Sequence, residues 1–200
     1  MSETIKLPRP TEGLTWKKLA RFFCLAFSPK RVKPYLAIRR LEDVSPARLQ
    51  AAGIEGVLVD ADGTLCPNHA RVFPESAVHY VLALRAAGLK VAIYSNCVAD
   101  RYSQFGGVPV VLEAEAKPDP RGFLRAMQNY LHLDDPAKIC MIGDNFLTDG
   151  GAIDAGMRFI HVQPVPGVEN RIHRLTRWWA LACARRFWPQ AFSDADKIFP

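Results

Sequence analysis

The tightest constraint on this chain's fold is a short apolar run, Val57-Leu58-Val59, that stops abruptly at Asp60-Ala61-Asp62-Gly63. An apolar stretch of this length bounded by turn formers reads as a buried strand. Gly63 allows the sharp turn that must follow. The strand therefore leaves Asp60 and Asp62 outside the carboxyl end of a sheet, where open α/β folds bind ligands. Two acids at i and i+2 repel each other, and either a bound cation or unequal protonation relieves the repulsion. Taken alone, these residues also fit an Asx-rich turn that ends a strand.

Later segments repeat the pattern. Ile139-Cys140-Met141-Ile142 runs into Gly143-Asp144, with Asp149 five residues further on. Val91-Ala92-Ile93-Tyr94 runs into Ser95-Asn96, a hydroxyl and an amide. Between these two segments, Lys117-Pro118-Asp119-Pro120 places a lysine just before an expected helix. Further strands are expected at Val108–Leu112 and Phe159–Gln163, and helices at Pro74–Ala87, Asp100–Phe105, Asp119–Leu131 and from Asp144 to Ala155. Strands alternating with helices predict a parallel sheet with right-handed crossovers.

The order of acid pair, hydroxyl, lysine and acid pair, each at the end of an element, resembles the haloacid dehalogenase (HAD) superfamily of phosphohydrolases from about Gly53 to Val162. The resemblance implies an α/β, Rossmannoid three-layer sandwich around a central parallel sheet. It implies phosphomonoester hydrolysis with Asp60 as nucleophile and an aspartyl-phosphate intermediate. Asp62 would serve as proton donor to the leaving group and then as base toward water. Mg²⁺ would be held by Asp60, Asp144 and the backbone carbonyl of Asp62, a hard cation on oxygen ligands. Lys117 would neutralise the nucleophile and the phosphoryl group. Ser95 and the backbone around Asn96 would donate hydrogen bonds to it, and Asp149 would support the metal or Lys117. His69 and His161 are expected to have no catalytic role.

Spacing bears on the substrate. Only 34 residues lie between Asp60 and Ser95, and 21 between Ser95 and Lys117. Neither gap has room for a substantial cap domain, so the site is expected to be open to large or surface-bound substrates. Within the superfamily, the capless spacing, a basic N-terminal helix and the segment from Arg40 to Gly56 resemble subclass IIIA proteins of the YqeG type. That branch includes phosphatases of phosphatidylglycerophosphate. Gly63 departs from it, since Asn is frequent there.

Charge is unevenly distributed. Residues 1–40 carry a net +8, residues 41–156 a net −6, and residues 157–200 a net +4. An acidic body between basic ends points to an anionic partner, a membrane surface or nucleic acid. Three parts are expected: a basic amphipathic segment over 1–40, a catalytic domain over 41–165, and a basic, aromatic helical extension over 166–200. Thr15 is a candidate cap for a helix from Trp16 to Phe27. This helix has an apolar stripe of Trp16, Leu19, Phe23 and Phe27, widened by Phe22 and Leu25, with Lys17, Lys18 and Arg21 on the other side. A second basic helix is expected from Asn170 to Trp188.

The five cysteines are scattered, with no CxxC or Cys/His cluster, so neither zinc nor a disulfide framework is expected. Cys66 and Cys97 are expected to pack rather than react. No apolar segment follows a basic start, and no run reaches membrane-spanning length. The expected location is cytoplasmic, peripheral on the inner face of a membrane. The expected substrate is a lipid phosphate. Nucleic-acid ends, a phosphoprotein or a small sugar phosphate are the alternatives, and a non-catalytic HAD-like binding module is the third.

Overall fold

A computed structural model describes residues 16–96 and 101–197 of the chain. Five parallel strands form one sheet in the order β1-β5-β4-β2-β3: β1 Leu36–Ile38, β2 Gly56–Val59, β3 Lys90–Ile93, β4 Ile139–Gly143 and β5 Arg158–Val162. Strands β2, β3 and β4 lie where the apolar runs placed them. Side chains alternate across the sheet, so neighbours within one strand serve opposite cores. Val57, Val59, Cys140 and Ile142 pack on one face with Tyr80, Val81 and Leu84 of α3 (Glu75–Ala86). Leu58, Met141 and Phe159 pack on the other with Phe123 and Ala126 of α4 (Pro120–Ala126). This is the expected three-layer sandwich.

Two parts of the sheet differ from expectation. Val108–Leu112 is not a strand; only Val110 bridges to Ile93. Pro109 has no N–H to donate, which leaves the Ile93 amide bonded to the Pro109 carbonyl and the Val111 amide to the Ile93 carbonyl. At the opposite edge, Leu36–Ile38 pairs with Ile160–Val162. The sheet therefore begins before residue 41, inside the segment read from its charge as a separate basic arm. Three consecutive residues give too short a period to reveal a strand.

Helix ends follow local chemistry. Asp119 caps α4 by accepting from the Arg121 amide at 3.1 Å, and Pro120 sits at the first position. The continuation Met127–Leu131 widens to a π turn and ends at His132, whose φ is +53°. Asn170 caps α6 (Arg171–Phe187) through the Ile172 amide at 2.9 Å. The helix expected at 100–105 is a single 3₁₀ turn, Tyr102–Phe105. The proposed Thr15 cap lies outside the described residues.

The N-terminal helix α1 (Trp16–Leu25) differs from expectation at Arg21, placed on its basic side with Lys17 and Lys18 but turned inward here. Leu25 is fully buried, and so is Arg21. The Arg21 guanidinium donates to the carbonyls of Phe146 (3.2 Å), Gly150 (2.7 Å) and Arg31 (3.1 Å) and pairs with Asp154. Phe22 packs against Trp179 of α6, with ring centroids 6.0 Å apart. Trp16, Phe23 and Phe27 are exposed. A hydrophobic stripe fixes a helix's orientation only when no buried polar network competes, and here one guanidinium satisfying three carbonyls and a carboxylate outweighs the stripe.

Arg21→Ala should therefore destabilise the protein by about 3 kcal/mol, because it removes the buried cation from Asp154 and the side-chain donor from three carbonyls. Arg31, whose side chain is 45% exposed and lies 3.5 Å from Asp154, should cost less than about 1 kcal/mol on the same substitution. Equilibrium denaturation of the two variants measures the difference.

Candidate active site

Strands β2 and β4 are neighbours, with Val59 opposite Ile142. The Asp60 amide continues the ladder to the Ile142 carbonyl at 2.9 Å. The residues that end the two strands, Asp60 and Asp144, therefore emerge side by side. The chain passes from β2 outward to β3 and then back across to β4, so this is the crevice where strand order reverses. Oxygens of Asp60, Asp144 and Asp149 all lie within 4.8 Å of one another, and all three residues are buried.

Lys117 enters this cluster from the loop before α4. Its Nζ is 2.6 Å from Asp60 Oδ1 and 2.6 Å from Asp149 Oδ1, with almost no exposure. Asn96 fixes the lysine's backbone: its amide nitrogen donates to the Lys117 carbonyl at 3.1 Å, and its amide oxygen accepts from the Lys117 N–H at 2.9 Å. Asn96 and Lys117 were expected at the site separately; the structure joins them. The second oxygen of Asp149 accepts from the Asn145 amide at 3.1 Å. Ser95 is buried beside Asn96 and hydrogen-bonds to Tyr102.

Asp62 lies outside the three-carboxylate cluster. Its Oδ1 accepts from the His69 backbone amide at 2.8 Å, and its Oδ2 from Arg101 Nη2 at 2.5 Å. His69 thus contributes a backbone donor, in a left-handed conformation with φ +61°. Gly63 also has positive φ, +81°, and a Cβ there would stand 2.7 Å from Asp144 Oδ2. The turn runs so close to Asp144 that any side chain at 63 would displace it. Cys66 is buried, and burial pushes its thiol up to about 11, so it packs as expected. Cys97 lies outside the described residues. His161 is stacked on Phe146 and buried, which lowers its pKa to about 3 and keeps it neutral.

Two arginines were not singled out from the sequence. Arg101 pairs with Asp62. Arg177 of α6 donates to Asp144 Oδ2 at 2.7 Å and to Glu169 Oε2 at 2.6 Å. Neither belongs to a contiguous motif. Arg177 sits among five arginines of a helix that looks like a solvated basic surface, and only the packing of α6 shows which of them turns inward.

Electrostatics follow from burial. Desolvation raises the Asp144 carboxyl to about 7, helped by Asp60 and opposed by Arg177. Desolvation likewise raises Asp60 and Asp149, opposed in both cases by Lys117. Burial alone would lower Lys117, but Asp149 and Asp60 outweigh it, so the lysine stays protonated. The donor set is all oxygen, close-set and carboxylate-rich, and its acids hold protons when no cation is present. Such a set fits a hard divalent cation.

The haloacid dehalogenase-like hydrolase family matches residues 68–156, a span that holds Ser95, Asn96, Lys117, Asp144 and Asp149. Residues 68–156 thus read as part of a haloacid dehalogenase-like hydrolase domain. Phosphatidylglycerophosphate phosphatase 1, chloroplastic, of Chlamydomonas reinhardtii is 30% identical over 178 residues, covering 82% of this chain and 65% of that protein. This chain therefore spans just under two thirds of the algal relative's length. The probable phosphatase YqeG of Bacillus subtilis (strain 168) is 28% identical over 145 residues, 70% of this chain and 82% of that protein. The crystal structure of an uncharacterized protein from Listeria monocytogenes serotype 4b superposes with a TM-score of 0.46 at 24% identity, over 59% of this chain and 84% of that one. In the HAD-like domain described here, neither gap between the site segments holds an inserted domain among the described residues. The first contains a loop, α3 and β3, and the second a 3₁₀ turn and a bridge.

The raised carboxyls set a pH dependence. A group with a folded pKa near 7 and an ordinary value of 3.8 binds more protons folded than unfolded between those limits. Its contribution to stability is thus full below about pH 4 and is lost as pH rises toward 7. In EDTA, the melting temperature should fall across this window by several degrees, and Asp144→Asn should flatten the fall. Differential scanning calorimetry from pH 4.5 to 7.5 measures both.

Proposed function

We propose that this protein is a Mg²⁺-dependent phosphomonoesterase acting on a lipid phosphate, such as phosphatidylglycerophosphate, at a membrane surface. The observation that carries the reading is Lys117 Nζ held 2.6 Å from both Asp60 and Asp149, beside Asp144. A buried lysine on a carboxylate nucleophile opposes the desolvation that favours its protonation, and offsets charge on an entering phosphoryl group. Asp60 attacks phosphorus, forming an aspartyl-phosphate as the P–O bond to the leaving group breaks. Asp62 gives its proton to the leaving oxygen and then takes one from the water that attacks the intermediate. Ser95 and the backbone amide of Asn96 donate to phosphoryl oxygens, while the Asn96 side chain holds Lys117 in place. Asp60, Asp144 and the Asp62 backbone carbonyl would hold Mg²⁺, with Asp149 in support. Bound there, the ion supplies positive charge against the phosphoryl oxygens.

Support for a lipid substrate comes from two directions. The algal relative's name is that of a phosphatidylglycerophosphate phosphatase. The surface formed by α1 and α6 also suits an anionic bilayer. Trp16, Phe23, Phe27, Ile172, Leu175 and Trp178 are exposed large apolar side chains there. Neither helix contains an acidic residue, and Arg171, Arg174, Arg185 and Arg186 are exposed on α6. Aromatic residues interleaved with arginine describe an interfacial helix face. Arg21 drops out of the basic set, because it is buried. No helix among the described residues is long and apolar enough to span a bilayer, so the proposed attachment is peripheral.

Phosphate release with Mg²⁺ should be greatest on phosphatidylglycerophosphate in mixed micelles, and lower on phosphorylated nucleic-acid ends, phosphopeptides and sugar phosphates. Asp60→Asn should abolish it, and Asp62→Asn should lower it by a factor of roughly 10²–10⁴. EDTA should remove activity, and Ca²⁺ should restore it poorly because it favours more ligands in a looser geometry. A preference for a soluble phosphoester would overturn the substrate reading. Near-native activity of Asp60→Asn would overturn the mechanism.

Co-sedimentation with phosphatidylglycerol vesicles should depend on anionic lipid and weaken with salt. It should fall severalfold in a Phe23→Ser, Phe27→Ser, Trp178→Ser variant, whose changes are all at exposed positions. Equal pelleting of variant and parent would remove this face from the proposal. Deleting the N-terminal helix would be a poorer test, since Arg21 and Leu25 belong to the fold.

A further inference from the structure

Arg101 is a buried cation whose reach exceeds what an ordinary surface ion pair requires. Its side chain is only 5% exposed. One terminal nitrogen donates to Asp62 Oδ2 at 2.5 Å, and the other to the Ala70 carbonyl at 2.6 Å. The guanidinium lies over the rings of Phe73 (5.2 Å) and Tyr102 (5.4 Å). Phe73 is locked in the core against Phe105, with centroids 4.8 Å apart. Tyr102 hydrogen-bonds to Ser95. The loop carrying Ala70 also brings the His69 amide to the other Asp62 oxygen. Each oxygen of Asp62 thus has a fixed donor, and both donors are anchored to the same loop and core wall.

We propose that Arg101 is a positioning residue for Asp62, holding its carboxyl in the geometry from which it serves the leaving oxygen. The inference rests on the role given to Asp62 above. A carboxylate three residues past a strand end rotates freely unless it is tethered, and a small misplacement of a proton donor is costly to rate. The planar fork of arginine supplies the tether and also bonds the loop, which a lysine point charge cannot do in one geometry. The two neighbouring rings, with centroids 5.6 Å apart, form an aromatic wall that restricts the guanidinium's own motion.

The test uses the leaving group as its readout. Departure of p-nitrophenolate needs little protonation, whereas departure of an alkoxide needs the proton. Phosphate release is measured from p-nitrophenyl phosphate and from an alkyl monophosphate for the parent, Arg101→Gln, Arg101→Lys, Asp62→Asn and the Arg101→Gln, Asp62→Asn double variant. Arg101→Gln should lower kcat on the alkyl ester by about 10–100-fold, a fraction of the worth of the proton donor itself, and leave p-nitrophenyl turnover within about threefold. KM should change little, and Arg101→Lys should show an intermediate loss confined to the alkyl ester. The double variant should be no worse than Asp62→Asn alone, since residues acting as a unit are not additive.

Equal loss on both esters with a raised KM would show that Arg101 binds phosphate instead, and would overturn the proposal. Unchanged or increased alkyl turnover would do so too. If Asp62→Asn is leaving-group dependent while the arginine variants are not, the positioning role fails and the reading of Asp62 stands. If Asp62→Asn shows no such dependence, the reading of Asp62 fails and the proposal falls with it. Because Arg101→Lys keeps the charge, it answers the question even if the glutamine variant folds poorly.

Discussion

The site depends on one buried ammonium. Lys117 stands between Asp60 and Asp149, and without it the three carboxylates at the ends of β2 and β4 would face one another in a largely buried space. Removing one partner of a buried ion pair costs several kcal/mol, because the other charge is left uncompensated. Much local structure follows from that requirement. Asn96 spends both ends of its amide on the Lys117 backbone, so the end of β3 is tied to the loop before α4. Tyr94 donates its hydroxyl to the Glu115 carbonyl, and its ring lies 5.6 Å from the Lys117 ammonium. Gly122 sits so close to this strut that a Cβ would stand 2.1 Å from the Glu115 carbonyl oxygen. The helix can approach only because the position has no side chain.

The same reasoning explains what the sequence revealed and what it hid. Asp60, Ser95, Asn96, Lys117, Asp144 and Asp149 were legible because each sits at an element end in a short run. An apolar strand that stops at a polar residue is a local signal, and the crossover rules of a parallel sheet bring the ends together. Arg101 and Arg177 were not legible, because their function depends on where a helix or turn packs. Leu36–Ile38 escaped notice because three residues cannot display a period and basic neighbours dominated the reading. Val108–Leu112 misled for the opposite reason. Its composition is that of a strand, but a proline within it removes a ladder donor.

The orientation of α1 shows how far amphipathicity alone can go. The sequence has a clean division between aromatic and basic positions, and that division alone would place Arg21 outside with the helix's lysines. The fold buries it. Loop carbonyls from Phe146 and Gly150, together with Asp154, come from the segment that follows the β4 acid. Among the described residues, the Gly150 carbonyl has only the Ile153 amide at 3.1 Å besides Arg21, and the Asp154 carboxylate only the half-exposed Arg31. Arg21 supplies the buried donor, and the helix turns to deliver it, leaving Trp16, Phe23 and Phe27 outside. Aromatic exposure on α1 is therefore tied to the support of the loop that presents Asp144 and Asp149. A face suited to a lipid surface and a buried strut beneath the site are two sides of one helix.

Charge balance gives this arrangement its chemical sense. Around the crevice stand Asp60, Asp62, Asp144, Asp149 and Glu169, each bonded to Lys117, Arg101 or Arg177. Among the described residues, five carboxylates against three permanent cations leave two negative charges when every acid is ionised. In a low-dielectric crevice such an excess is costly, and the acids respond by holding protons, as the raised pKa of Asp144 reflects. A divalent cation would cancel the excess without protonating the nucleophile. Of these cations, Arg101 is bonded to the Ala70 loop and Arg177 to Glu169 as well as to the site acids. The residual charge therefore falls on the carboxylates that end β2 and β4, where a metal and a phosphoryl group would meet.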